Sequence, residues 1–279
     1  MKQLILYLAL IAVVIGGYSQ SVAYTTSPDG VRIAYKVDGE GSTTIVFVHG
    51  WSCDRSYWKA QLLPFSREYK VVAIDLGGHG ESGLGREDWT IASFGDDVVA
   101  VVDTLDLNRV ILVGHSMGGD VIVSAARRLP GRVLGLVMVD TYKKIGSDYT
   151  AEEDKKFVDG FRTNFSKKVA SFVRGMFLPD SNPDLVEFVV NDMSSAPPAV
   201  AISSLESSFN YGREITRDLI ELRSPVVALN PDNEPTDIES MQRYGVKVVV
   251  LPGLGHFLML EDPNLFNETL ASIITGLNR

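Results

Sequence analysis

Short runs of branched aliphatic residues recur along this chain, separated by stretches with helical spacing. Thr44–Val48, 71–74, 110–113 and 134–139 are nearly continuous in apolar residues and rich in Val and Ile. A strand with one wet face alternates apolar and polar residues. A continuous run instead fits a strand buried on both faces, as in a parallel sheet covered by helices. Between the runs, 57–68, 91–105 and 117–129 read as helices. Such alternation predicts an α/β architecture, with a doubly wound, mostly parallel sheet and helices on both faces. The alternating stretch 31–37 reads as an outer antiparallel strand.

The rhythm breaks after Asp140. From 141 to 223 there is no strong strand signal, and helix-like pieces are punctuated by Pro179, Pro183, Pro197 and Pro198. It resumes with a strand at 225–229, a helix at 238–244, the strand Val246–Leu251 and a last helix from Pro263 to about Gly276. Residues 24–140 and 224–279 are therefore expected to form one core, with 141–223 a helical lid inserted after the sixth strand. In that insertion Phe157, Phe161, Phe165, Phe172, Met176 and Phe177 recur at spacings that can line one helix face. They either pack on the core or line an acyl pocket.

The first residues differ in kind. Lys2 precedes an apolar run over 4–15, followed by Gly16, Gly17, Tyr18 and Ser19. This pattern predicts a secretory signal peptide over 1–23, cut after Ala23 or nearer Ser19. The run falls short of the roughly 20 apolar residues a bilayer span needs. The expected location is periplasmic or secreted, with no stable membrane span after cleavage; an uncleaved N-terminal anchor is the alternative. Cys53 is the only cysteine, so no internal disulfide forms. The 279 residues, 45% of them hydrophobic, suffice for one well-buried domain. A net charge of −9 with no dense Lys/Arg stretch argues against a nucleic-acid partner.

The chemistry-bearing residues sit where runs end. Gly114-His115-Ser116-Met117-Gly118 fits G-x-S-x-G, follows the run 110–113 and opens a helix. In that context the motif is a nucleophile elbow, a sharp turn that lifts the Ser116 hydroxyl above the sheet. The loop His49-Gly50-Trp51 ends another strand, and the expected oxyanion donors are the backbone N–H groups of Trp51 and Met117. Of four histidines, His49 belongs to that loop, His79 to a Gly-rich turn and His115 to the elbow. His256, just past the last strand, is left as the general base. The acid stays open. The loop after 225–229 offers Asp232 and Glu234, and Asp140 ends the preceding strand; an acid is required to orient the imidazole. No metal-ligand cluster or phosphate-binding loop appears, so neither a metal nor a cofactor is expected.

Five blocks together resemble the α/β-hydrolase superfamily: HGWSCDRSYW from His49, DLGGHGES from Asp75, GHSMGG from Gly114, the strand and acidic loop from Pro225, and PGLGHFLMLEDP from Pro252. The chain is most similar to bacterial esterase-like serine hydrolases with an HG-x oxyanion loop. The resemblance implies the α/β-hydrolase fold and an acyl-serine mechanism at Ser116. The family's acid loop usually reads G-x-x-D; here Pro231 and Glu234 stand at its ends, which makes Glu234 the first candidate acid, with Asp140 and Asp232 as alternatives. A small-molecule carboxylic ester or lactone is the expected substrate. The competing readings are a C–C bond hydrolase or perhydrolase on the same triad, and a non-catalytic binding protein of the same fold.

Overall fold

The computed structural model describes residues 21–146 and 150–278. All but the last three residues of the expected signal peptide lie outside the described residues. The apolar runs form β3 (Thr44–Val48), β4 (Lys70–Ile74), β5 (Val110–His115), β6 (Val133–Val139), β7 (Val226–Pro231) and β8 (Val246–Leu251). These six pair in parallel, in the spatial order β4-β3-β5-β6-β7-β8. Beyond β4, β2 (Arg32–Asp38) and then β1 (Ala23–Thr26) pair antiparallel. The strand expected at 31–37 is thus antiparallel but not outermost. The true edge, β1, has four half-exposed residues, too few for a periodicity signal.

The winding follows from the connections. α1 (Lys59–Phe65) carries the chain from β3 to β4, and α2 (Ile91–Thr104) carries it back past β3 to β5. Right-handed crossovers running in opposite directions place their helices on opposite faces of a sheet. Accordingly α1 packs with the C-terminal helix α11 (Pro263–Leu277), and α2 packs with α3 (Met117–Ala126). The direction of winding reverses at β3. In open α/β sheets, ligands bind outside the carboxyl ends of the strands at such a reversal.

Between β6 and β7 the chain forms α4 (Ala151–Asp159), α5 (Phe165–Arg174), α6 (Pro183–Ser194), α7 (Pro198–Gly212) and α8 (Ile215–Glu221). Pro183 and Pro198 occupy first-turn positions, where the fixed φ suits a helix and no N–H is missed. Two of the prolines that punctuate the sequence are therefore helix starts. α7 rests on α2 and α3, while α5 pairs with α6 and α4 with α7. After β7 come α9 (Ile238–Arg243) and, past β8, the one-turn α10 (Leu258–Glu261). Among the described residues no helix is long and apolar enough to cross a membrane.

Candidate active site

Ser116 stands between β5 and α3 with φ 53° and ψ −122°. A non-glycine residue held there costs on the order of 1–3 kcal/mol, so its surroundings must enforce it. They do so from both sides: the Ser116 N–H donates to the Val139 carbonyl on β6 at 2.8 Å, and the Gly119 N–H to the Ser116 carbonyl at 2.8 Å. A Cβ on Gly114 would lie 2.2 Å from the Gly118 carbonyl oxygen, so only glycine lets strand and helix meet this closely. A Cβ on Gly50 would lie 2.8 Å from His115 Nδ1 and 3.2 Å from the Ser116 Cβ. The His49-Gly50-Trp51 loop is therefore pressed against the elbow.

The His49 backbone shares in that contact, its carbonyl oxygen lying 2.6 Å from where a Cβ on Gly118 would stand, while its ring points elsewhere. It is fully buried; its Nδ1 donates to the Gly50 carbonyl at 2.8 Å and its Nε2 accepts the Leu76 N–H at 3.0 Å. Burial lowers its pKa, so it stays neutral and fastens the loop to the end of β4. His79 is likewise buried and pushed down to about 3. Trp51 donates its indole N–H to the Ala201 carbonyl of α7 at 2.7 Å, which ties the loop to the inserted helices.

His256 follows β8, and its Nδ1 meets Asp140 Oδ2 at 2.7 Å. Of the three candidate acids, the structure brings Asp140 and neither Glu234 nor Asp232 to the imidazole. Glu234 is exposed, and its backbone N–H is held by the Asn233 side chain, whereas its carboxyl has no part in the site. Asp232 accepts the Gly253 N–H at 2.7 Å and braces the turn that leads to His256. Asp140 reaches the imidazole because it directly follows β6 with φ 44°, a bend that aims its side chain off the strand. Burial pushes the Asp140 carboxyl up, but the His256 hydrogen bond and the charges of His256 and Lys143 outweigh it, so it lies below the usual carboxylate value. Lys143 Nζ sits 3.1 Å from Asp140 Oδ1 and also donates to the Pro231 carbonyl and Asn233 Oδ1. The loop after β7 thus reaches the Asp140 carboxyl through Lys143.

Ser116, His256, Asp140, Trp51 and Met117 all line one cavity of about 430 Å³. Its apolar wall comes from Phe172, Met176, Met193, Leu205 and Phe209 of the segment inserted between β6 and β7, with Phe257 beside His256. Of the aromatic and Met positions singled out in the insertion, Phe172 and Met176 line the cavity. Phe161 and Phe165 are buried, Phe157 is 40% exposed, and Phe177 stacks on Phe257. No hydrogen bond joins Ser116 to His256 among the described residues; such contacts often tighten only when substrate is bound.

His115 makes a contact with His256 that the motif alone does not disclose. Its Nε2 donates to the His256 carbonyl at 2.9 Å, and the two rings lie 4.6 Å apart. Burial, with the neighbouring His256, pushes it down to about 3, so it remains a neutral donor. Among the described residues no group of three or more His, Cys, Asp or Glu is placed to hold a metal ion.

A model of the alpha/beta hydrolase family matches residues 45–269. Over 271 residues, 90% of the chain, it is 29% identical to a non-heme haloperoxidase of Rhodococcus erythropolis and covers 98% of that protein. Over 111 residues it is 38% identical to the dihydrolipoyllysine-residue acetyltransferase component of the acetoin cleaving system of Cupriavidus necator. That match spans 40% of this chain and 30% of the relative's length. The solved structure of Est816, described as an N-acyl homoserine lactone degrading enzyme, superposes with a TM-score of 0.76 at 26% identity, covering 89% of this chain and 99% of that one.

Proposed function

The chain belongs to the alpha/beta hydrolase family, and from that premise we propose that it hydrolyses a carboxylic ester or lactone through an acyl-serine at Ser116. One observation carries the reading: an elbow serine and an Asp140-bonded histidine open into the same largely apolar cavity. The Asp140 contact keeps the His256 proton on Nδ1 and leaves the Nε2 lone pair free to accept a proton. His256 takes the Ser116 proton as Oγ attacks the acyl carbon. The same proton then goes to the departing alkoxide, and an acyl-Ser116 remains. Water, deprotonated by His256, cleaves the ester and restores the serine. The N–H groups of Trp51 and Met117 are the donors for the tetrahedral oxyanion, and each such donor is worth about 3 kcal/mol in the transition state. In this reading α4–α8 are the lid, and Phe172, Met176 and Leu205 seat the acyl chain.

The near full-length relationship to a haloperoxidase favours one second reaction at the same site. Hydrogen peroxide replaces water as the nucleophile on the acyl-serine, and a peracid leaves. A fluorophosphonate probe and a p-nitrophenyl ester test the core claim. The wild type should be labelled at Ser116 and turn over the ester, while Ser116→Ala, folded as judged by circular dichroism, should do neither. Equal labelling of both proteins would overturn the assignment. Adding hydrogen peroxide to the ester assay shows whether peracid forms.

A further inference from the structure

The helix that begins at the nucleophile carries a second carboxyl into the same cavity. Asp120 lies one turn beyond Ser116, is 2% exposed, and lines the cavity together with Tyr142 and Ser208. Its Oδ1 accepts the Tyr142 hydroxyl at 2.5 Å and its Oδ2 the Ser208 hydroxyl at 2.6 Å. Among the described residues no cation pairs with it, and burial raises its pKa to about 7. The two hydroxyls come from the segment after β6 and from α7, so three separate parts of the fold converge on this one group. Fastening α7 to α3 does not require such a residue, since a buried carboxyl without a counter-charge is costly. A neutral amide could still bond both hydroxyls, accepting from one and donating to the other. An ionised carboxylate has about four acceptor positions, and two hydroxyls fill only part of that capacity. A Cβ on Gly212, another cavity-lining residue, would lie 3.1 Å from the Tyr142 hydroxyl, so glycine keeps the space beside this cluster open.

We propose that Asp120, with Tyr142 and Ser208, is a recognition subsite for a hydrogen-bond-donating group on the substrate, a hydroxyl or an ammonium. Asp120 lies four residues beyond Ser116, on the helix that opens just after it, and the backbone rise over four helical residues is about 6 Å, so the substrate must span a few carbons between the two groups. Acyl chains of five or six carbons with a terminal donor are of the right order to span that distance. The inference rests on the ester-hydrolysis reading and adds to it the chemistry of the acyl part. The preference arises because a methyl group in place of the donor leaves the carboxylate desolvated and under-bonded.

Three p-nitrophenyl esters of similar length test it: heptanoate, 6-hydroxyhexanoate and 6-aminohexanoate. Hydrogen bonds to a charged group predict that the wild type has kcat/KM about 10–100-fold higher for a donor-bearing ester than for heptanoate, chiefly through KM. Asp120→Leu should abolish that ratio. Asp120→Asn should keep part of the hydroxyl preference and lose the ammonium preference. A purely structural role would slow all three esters alike and leave the ratios unchanged, which overturns the proposal. If Asp120→Leu does not fold, calorimetric binding of the three esters to Ser116→Ala decides, and equal affinities overturn it. Turnover without any donor preference removes this proposal alone. No turnover of any ester together with no fluorophosphonate labelling removes the hydrolase reading as well.

Discussion

At the scale of single residues, the site is built from positions whose backbone departs from ordinary strand or helix. Ser116 and Asp140 both have positive φ, at 53° and 44°, and each directly follows a strand of the parallel sheet. Each conformation turns the side chain out of the strand and toward the cavity. Glu234 lies in an exposed loop and has no such constraint. Asp140→Asn should therefore lower kcat by about 10⁴-fold, because an amide cannot hold the imidazole in the tautomer that leaves Nε2 free to accept a proton. Glu234→Gln should leave kcat within about twofold, as a surface substitution away from the chemistry does. Steady-state rates on one p-nitrophenyl ester separate the two. An inactive Glu234→Gln beside a near-normal Asp140→Asn would return the acid to the loop after β7.

At the scale of elements, His256 is carried by a loop that several parts of the fold tie down. The Gly255 N–H and the Phe257 N–H both donate to the Glu261 carboxylate of α10, at 3.0 and 3.1 Å. The His256 N–H donates to the Met176 carbonyl at 3.1 Å, so the segment after α5 also holds this residue. His115 closes the set from the elbow. Glu261→Ala removes both of these charge-assisted contacts at once, together with a third from the Ser181 hydroxyl at 3.2 Å. Stability should fall by about 1–3 kcal/mol. The loosened imidazole should lower kcat by about 10–100-fold, in line with the cost of misplacing a catalytic group by an ångström. Denaturant titration and steady-state kinetics read the two effects, and fluorophosphonate labelling at Ser116 should persist. Loss of stability with unchanged kcat would show that the loop keeps its position without Glu261.

At the scale of the whole molecule, the candidate groups come from the carboxyl ends of β3, β5, β6 and β8, and the helices inserted after β6 supply much of the cavity wall. Substitutions in those helices can change the cavity without touching the sheet that aims Ser116 and His256. The N-terminal pattern bears on the sheet's other end. We propose that the chain is exported and trimmed between Ser19 and Ala23. β1 begins at Ala23, which pairs with Tyr35, so a cut near Ser19 leaves the edge strand whole and a cut after Ala23 removes its first residue. Intact mass of the protein recovered from the producing cell should correspond to a start within that interval. A mature chain beginning at Met1 would overturn the proposal.

Local sequence was enough for the features that depend on local sequence. The buried strands were legible from uninterrupted Val and Ile, because only a two-sided sheet buries such a run. The elbow was legible because two glycines flank a serine where a strand meets a helix, and Gly114 and Gly118 crowd each other there. His256 was legible from its place after the last strand. The partner of His256 was not. Asp140, Asp232 and Glu234 all end or follow strands of the same sheet, and nothing in their neighbours in the chain tells them apart. The choice was made by the 2.7 Å approach of two residues 116 positions apart, which exists only once β6 and β8 stand in one sheet. The role of Asp120 was hidden for the same reason. Its two hydroxyl partners come from 22 and 88 residues away, and burial without a cation is a property of the packed cavity alone.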